Sequence, residues 1–235
     1  MIIVRPSEQR GHADHGWLRA KHSFSFAEYY DPAEMGWGVL RVINEDRVAP
    51  GTGFGTHGHR DMEIVTYILS GALEHKDSLG NGGIIRRGEV QRMSAGKGIM
   101  HSEFNPLPDQ ETHLLQIWIE PAQRGTRASY EQQELAVDGM RGRWRLVASP
   151  DGADGSTTIG QDARLWASLL VPDAAQDYVL GAGRLAYVHV VSGRLAVNGV
   201  ALSAGDGAKI AAESALQFVA DEAAEILLFD LPPAD

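Results

Sequence analysis

The chain repeats its own strand-and-turn signature. Tyr67-Ile-Leu-Ser-Gly71 returns as Val188-His-Val-Val-Ser-Gly193, and Arg87-Gly88-Glu89 returns as Ala204-Gly205-Asp206. The two halves therefore read as copies of one unit, and whatever fold the first adopts the second must share. The unit is built of short β-branched runs. Glu63-Ile-Val-Thr-Tyr-Ile-Leu69 stops at Ser70-Gly71, and His113-Leu-Leu-Gln-Ile-Trp-Ile119 stops at Glu120-Pro121. Leu195-Ala-Val-Asn-Gly-Val-Ala-Leu202 reads as a hairpin with Asn198-Gly199 at its tip. With 27 Gly and 10 Pro spread between such runs, the expectation is an all-β chain of sandwiches or barrels. A length of 235 residues accommodates two units. The boundary is expected near residue 138, giving domains 1–138 and 139–235, with loop-like stretches at 120–130 and 149–162.

Composition removes several classes of function. There is no cysteine, which excludes disulfides, thiolate metal sites and cysteine nucleophiles and leaves His and carboxylates as the available metal ligands. The formal charge of −10 is the wrong sign for a protein that binds by neutralising phosphates, so direct nucleic-acid binding is not expected. No run of apolar residues is long enough to span a bilayer, and the first ten residues are too weakly apolar for a signal peptide. The reading is a soluble, cytoplasmic protein without a membrane partner.

Two dipeptide spacings carry chemistry. His57-Gly-His59 sets two imidazoles at i and i+2, and on a strand both leave the same face. His101-Ser-Glu103 repeats the arrangement with a carboxylate in second place, so two strands can each offer a dyad to one ion. A His₃Glu set suits a divalent transition metal, with Fe(II) the natural candidate and Mn, Co, Ni, Cu or Zn compatible; calcium and magnesium want mostly oxygen. A metal that prefers five or six positions keeps room on such a set for a substrate oxygen or O₂.

The flanking residues extend these dyads into longer patterns. The first is Gly51-Thr-Gly-Phe-Gly-Thr-His57-Gly-His59-Arg-Asp-Met-Glu63; the second is Gly88-Glu-Val-Gln-Arg-Met-Ser-Ala-Gly96-Lys-Gly98-Ile-Met-His101-Ser-Glu103-Phe-Asn105. They resemble the two motifs of the cupin superfamily, with His57, His59 and Glu63 on the first and His101 and Asn105 on the second. Gly96 stands four residues from His101 where the general motif has two, and the pirin family shares this longer form. The resemblance to bacterial pirins runs through His12-Ala-Asp-His-Gly-Trp17, His22-Ser-Phe-Ser-Phe26, Tyr29-Tyr-Asp31 and Arg41-Val-Ile-Asn44, and reappears at Leu228-Phe-Asp-Leu-Pro-Pro233.

That resemblance implies a bicupin of two stacked jelly-roll barrels in one chain, with the metal in the N-terminal barrel on His57, His59, His101 and Glu103. General cupins use the position of Glu63 as a ligand and pirins that of Glu103. Strand parity does not separate the two, because Glu63 lies an even four residues from His59. The reading adopts Glu103 as ligand and possible base, and places Glu63 behind the ligands as an orienting group or reserve base. Positions in the second repeat that match the ligands are Val179, Gly181, Phe218 and Ala220, so the C-terminal barrel is expected to lack a metal.

His12, His15, His22, His75 and His113 are read as structural or surface histidines without a carboxylate at ligand spacing, and His189 as a packed or surface strand histidine rather than a ligand. Phe24, Phe26, Tyr29 and Tyr30 are read as core, with a place at a pocket mouth as the second option. Arg86-Arg87 reads as a solvated hairpin end. Resemblance to bacterial pirins also implies quercetin 2,3-dioxygenase activity, in which O₂ cleaves the central ring of a flavonol and releases carbon monoxide. The alternative from the same family is a metal-dependent regulatory protein with a protein partner. Two barrels in one chain are read as a monomer.

Overall fold

The computed structural model describes residues 1–233, nearly all of them in short strands, turns and three 3-10 turns. Four sheets form two sandwiches of the cupin type. In the N-terminal one a seven-stranded sheet runs in the spatial order Ser129–Glu134, Glu89–Ser94, Glu63–Ser70, Thr112–Ile119, Leu40–Val48, Leu18–His22, Gly11–Asp14. It faces a four-stranded sheet of Gly53–His59, Ile99–Phe104, Ala72–Asp77 and Gly82–Arg86. The C-terminal sandwich repeats the plan with a seven-stranded sheet and a four-stranded sheet. Its large sheet contains Ile2–Arg5, which pairs antiparallel with Gly207–Ile210. The first strand of the chain thus belongs to the second sandwich, and residues 1–138 do not form one sandwich by themselves.

The repeat is visible in the turns. Gly71 and Gly193 both have φ 79°, and a Cβ on Gly193 would stand 2.1 Å from the Ala223 carbonyl oxygen, so no other residue fits there. Asn198 and Gly199, both at positive φ, make the two-residue hairpin turn between Arg194–Val197 and Val200–Ser203.

Alternation along the central strands determines where each core lies. Val65 and Tyr67 point from the N-terminal large sheet toward the C-terminal one, where they join Tyr187, Leu227 and Phe229 in one inter-sandwich core. Ile68, one step out of phase, points into the N-terminal sandwich with Leu18, Leu73, Ile85 and Leu114. Both faces of Glu63–Ser70 are therefore buried, which is why its sequence is a continuous apolar run rather than an alternating one. Within the C-terminal sandwich the interior is filled: Phe218 is fully buried and packs against Trp144 at 5.0 Å.

Charge also crosses between the sandwiches. Arg87 donates through Nη1 and Nη2 to the two oxygens of Glu225 at 2.8 and 2.5 Å, and the Tyr67 hydroxyl donates to the same carboxylate at 2.7 Å. Arg87 is thus a tie to the second sandwich rather than a solvated hairpin end. Among the described residues no helix is long and apolar enough to cross a membrane.

Candidate metal centre

Gly53–His59 and Ile99–Phe104 are antiparallel neighbours with His101 directly opposite His57 and Ile99 opposite His59. This register brings three imidazoles to one point, because His57 and His59 share a face and His101 meets that face from the next strand. His101 Nε2 lies 3.0 Å from His57 Nε2 and 2.9 Å from His59 Nε2. A bulge between His101 and Glu103 then shifts the register, so that Glu103 stands opposite Phe54.

The hydrogen bonds behind the rings decide which nitrogens carry protons. His57 Nδ1 is 2.8 Å from the Gly55 carbonyl, which can only accept, so Nδ1 is protonated and Nε2 presents a lone pair. His75 Nε2 lies 3.2 Å from Asp77 Oδ2 and donates to it, which leaves His75 Nδ1 as acceptor. His101 Nδ1, 3.4 Å away, is then the donor, and His101 Nε2 is also a bare lone pair. Asp77 is held in turn by the Leu79 and Asn81 backbone N–H groups and the Asn81 side chain. Two lone pairs facing each other at 3.0 Å repel unless a cation lies between them, and this is the arrangement a ligated imidazole backed by a carboxylate adopts.

Spacing also speaks to geometry. Two nitrogens about 2.1 Å from one ion stand about 3.0 Å apart at right-angled bonds and about 3.4 Å apart at tetrahedral ones. His101 Nε2 stands 2.9 and 3.0 Å from its two neighbours, within the range that two ligands of one ion span. Burial, followed by the charge of neighbouring imidazoles, pushes His59 down to about 4 and His101 down to about 3, so both are neutral throughout the physiological range.

Glu103 does not fall within the tight three-histidine group. It belongs to a second, fully buried grouping with His75 and His101, whose ligand atoms lie within 4.8 Å of one another. Both Glu103 oxygens accept from Gln116 Nε2 at 2.9 Å, and Gln116 is itself fixed by accepting from Thr66 Oγ1. Burial raises the Glu103 carboxyl to about 7, against the effect of the Gln116 bond.

Glu63 lies elsewhere. Its Oε2 accepts from Ser94 Oγ at 2.6 Å, and it meets Gly160 of the C-terminal half, so its side chain points toward the junction of the sandwiches. Parity does not carry from His59 to Glu63, because the turn at residues 60–62, with Asp61 at φ 48°, separates two strands of different sheets. Next to it Ile64 faces the cavity and Glu63 does not.

That cavity, ≈ 980 Å³ in volume, opens onto His57 and His59 and is large enough for a drug-sized ligand. Aromatic groups in its lining include Trp17, Phe26, Tyr29, Phe54 and Trp118, and its polar groups include Asn44, Asp46, Glu103 and Gln116. Phe26 and Tyr29 thus line the pocket, Phe24 is core, and Tyr30 is 72% exposed. Trp118 lies edge-on to His59 at 4.9 Å.

Three groups escaped the sequence reading. His75-Lys-Asp77 has the same i, i+2 spacing as the two dyads, and its buried histidine does have a carboxylate partner. His113 likewise meets Glu45 at 2.9 Å. Asp46 is buried and raised to about 7, first by burial and then by the Glu103 charge. Asn105, on the second motif, does structural work: its amide donates to the Val48 and Gln110 carbonyls. The second-repeat positions offer no ligands: Val179 is 80% exposed and Phe218 fills the interior. Of the two readings open for His189, packed or surface, the structure has it packed.

Known proteins resemble the chain along its whole length. The sequence pattern of the Pirin family matches residues 3–119, and that described as the quercetinase C-terminal cupin domain matches residues 146–231. The chain is 48% identical over 233 residues to a protein of Escherichia coli (strain K12) named quercetin 2,3-dioxygenase, covering 99% of this chain and 100% of that one. A pirin-like protein of Caulobacter vibrioides is 46% identical over 98% of this chain and 99% of its own. Among solved structures, the bacterial pirin YhhW of Escherichia coli in complex with nickel(II) superposes with a TM-score of 0.96 at 48% identity, covering 100% of both chains.

Proposed function

The chain belongs to the pirin family, and from that premise we propose that it is a metal-dependent dioxygenase that opens the central ring of a flavonol such as quercetin with O₂ and releases carbon monoxide. One observation carries the reading. The Nε2 atoms of His57 and His59 both lie within 3.0 Å of His101 Nε2, two of the three nitrogens are bare by their hydrogen bonding, and His57 and His59 line an aromatic-walled cavity.

His57, His59 and His101 would hold the ion, with Glu103 as the fourth ligand. Three imidazoles and a carboxylate would suit Fe(II), as they would Mn, Co, Ni, Cu or Zn; a structure of the Escherichia coli relative holds nickel(II). Such an ion supplies Lewis acidity toward the flavonol oxygen and a route for O₂. Glu103 is the carboxylate placed to take the proton of the flavonol 3-hydroxyl, since it lines the cavity and Gln116 keeps both its oxygens aimed. Trp17, Phe54 and Trp118 offer flat apolar surface for the rings and exclude water from the reacting face.

The test is direct. Protein loaded anaerobically with each of Fe(II), Mn(II), Co(II), Ni(II) and Cu(II) receives quercetin and then O₂, and flavonol loss and carbon monoxide are measured together. Carbon monoxide that depends on metal and vanishes in His101→Ala is the expected result. Metal that binds without any carbon monoxide would refute the reading and turn attention to the regulatory alternative.

A further inference from the structure

We propose that Asn44 and Asp46 form a second substrate subsite that selects for an additional phenolic hydroxyl, so that the enzyme prefers polyhydroxylated aromatic substrates over those with a single hydroxyl. The inference rests on the catalytic reading of the cavity and adds to it the recognition of a substrate hydroxyl by side chains that are not themselves among the ligands.

Leu40–Val48 places the two side chains at i and i+2 on one face, and both line the cavity. The intervening Glu45 points the other way, where it pairs with Arg10 at 2.7 Å and His113 at 2.9 Å. Asp46 is 4% exposed and Asn44 3%, and what remains accessible opens onto the cavity. Among the described residues neither Asp46 oxygen has a hydrogen-bond donor. The carboxylate is held in the cavity wall without a protein donor, so a ligand hydroxyl entering the cavity can take the place of water as its donor.

Asn44 supplies the complement. Its Oδ1 lies 2.7 Å from His22 Nδ1, and since a carboxamide oxygen only accepts, the imidazole donates and fixes the amide. Asn44 Nδ2, with no partner among the described residues, is left as a donor beside the Asp46 acceptor. A hydroxyl both donates and accepts. One phenolic group, or two on adjacent ring carbons, can give its proton to Asp46 and take a hydrogen bond from Asn44. A site built this way discriminates strongly, because a ligand lacking the hydroxyl leaves buried polar groups unpaired.

Quercetin and 3-hydroxyflavone share the 3-hydroxyl, but only quercetin carries further phenolic groups. Their dissociation constants are measured anaerobically on the Ni(II)-loaded protein by quenching of tryptophan fluorescence, with metal content checked on every variant. Wild type should prefer quercetin. Asp46→Ala should weaken quercetin about 10–100-fold and 3-hydroxyflavone by less than about threefold, the range expected for loss of a hydrogen bond to a charged group. Asn44→Ala should move the ratio in the same direction with metal content unchanged.

Equal weakening of both ligands, or no change in either, overturns the subsite. Catechol and phenol serve as smaller probes of the same contrast. A wild type that binds neither flavonol is then judged on them, and no Asp46-dependent preference for catechol likewise overturns it. A wild type that shows the Asp46-dependent preference yet releases no carbon monoxide in air leaves the subsite standing and sinks the dioxygenase reading instead.

Discussion

Replacing Glu103 by Gln should strengthen the metal-free protein and weaken its grip on metal, two effects of opposite sign from one change. The Glu103 carboxyl is 3% exposed and raised from 4.5 to about 7 by burial. A carboxyl whose folded-state value exceeds its unfolded one stabilises the fold relative to its ionised form only at low pH; that contribution is lost as pH rises from about 4.5 to about 7. At 1.36 kcal/mol per unit the loss is ~3 kcal/mol by pH 8 and under ~1 kcal/mol at pH 5. Glutamine has the same shape, does not ionise, and can still accept from Gln116 Nε2 through its oxygen. The metal-free Glu103→Gln protein should therefore melt about 6–12 °C above wild type at pH 8, and the gap should nearly close at pH 5. With metal added the order reverses, since the variant has lost an anionic ligand, and its affinity should fall at least about tenfold. Scanning calorimetry at both pH values, with and without Ni(II), reads all four states. A variant no more stable than wild type at pH 8 without metal would refute the burial argument, and unchanged metal affinity would remove Glu103 from the ligand set.

Other residues make separate expectations. His75→Phe keeps the stacking on Tyr130 at 4.8 Å but loses the bond to His101; metal affinity should drop about 10–100-fold in a chelator competition, with the circular dichroism spectrum retained. Glu63→Gln should leave metal affinity within about twofold, because its partners are Ser94 and Gly160 and not the histidines; a loss like that of a ligand would restore it to the site. Glu225→Ala strips Arg87 and Tyr67 of their shared carboxylate at the junction of the sandwiches and should cost about 3 kcal/mol in denaturant unfolding, with metal content unchanged.

Local spacing made much of the site legible. An i, i+2 pair on a strand shares a face whatever the rest of the fold does, so His57, His59 and His101 could be read as neighbours once two strands were paired. The same rule failed at Glu63, because the count crossed a turn between strands of different sheets, where alternation starts afresh. Asp46 and Gln116 were invisible for another reason: neither belongs to a pattern that marks a ligand set, and only closure of the sandwich shows that its face is the cavity wall. His75-Lys-Asp77 has the same i, i+2 spacing, and its carboxylate was legible in the sequence although His75 reads there as a histidine without one. The glycine turns at Gly71 and Gly193 revealed the repeat, but no local pattern tells a strand which repeat it will join, as Ile2–Arg5 shows.

That first strand has a consequence for how the molecule is made. During synthesis at about 5–20 residues per second, Ile2–Arg5 emerges many seconds before Gly207–Ile210 exists to receive it. The early residues must stay unpaired while the cavity-bearing half closes, and the late sheet keeps a bare edge until they return. The two halves are consequently laced together rather than joined by a single tether. A protease cut in the 3-10 turn Val137–Met140 should leave the fragments associated under native conditions, since the edge of one sheet is owned by the other piece.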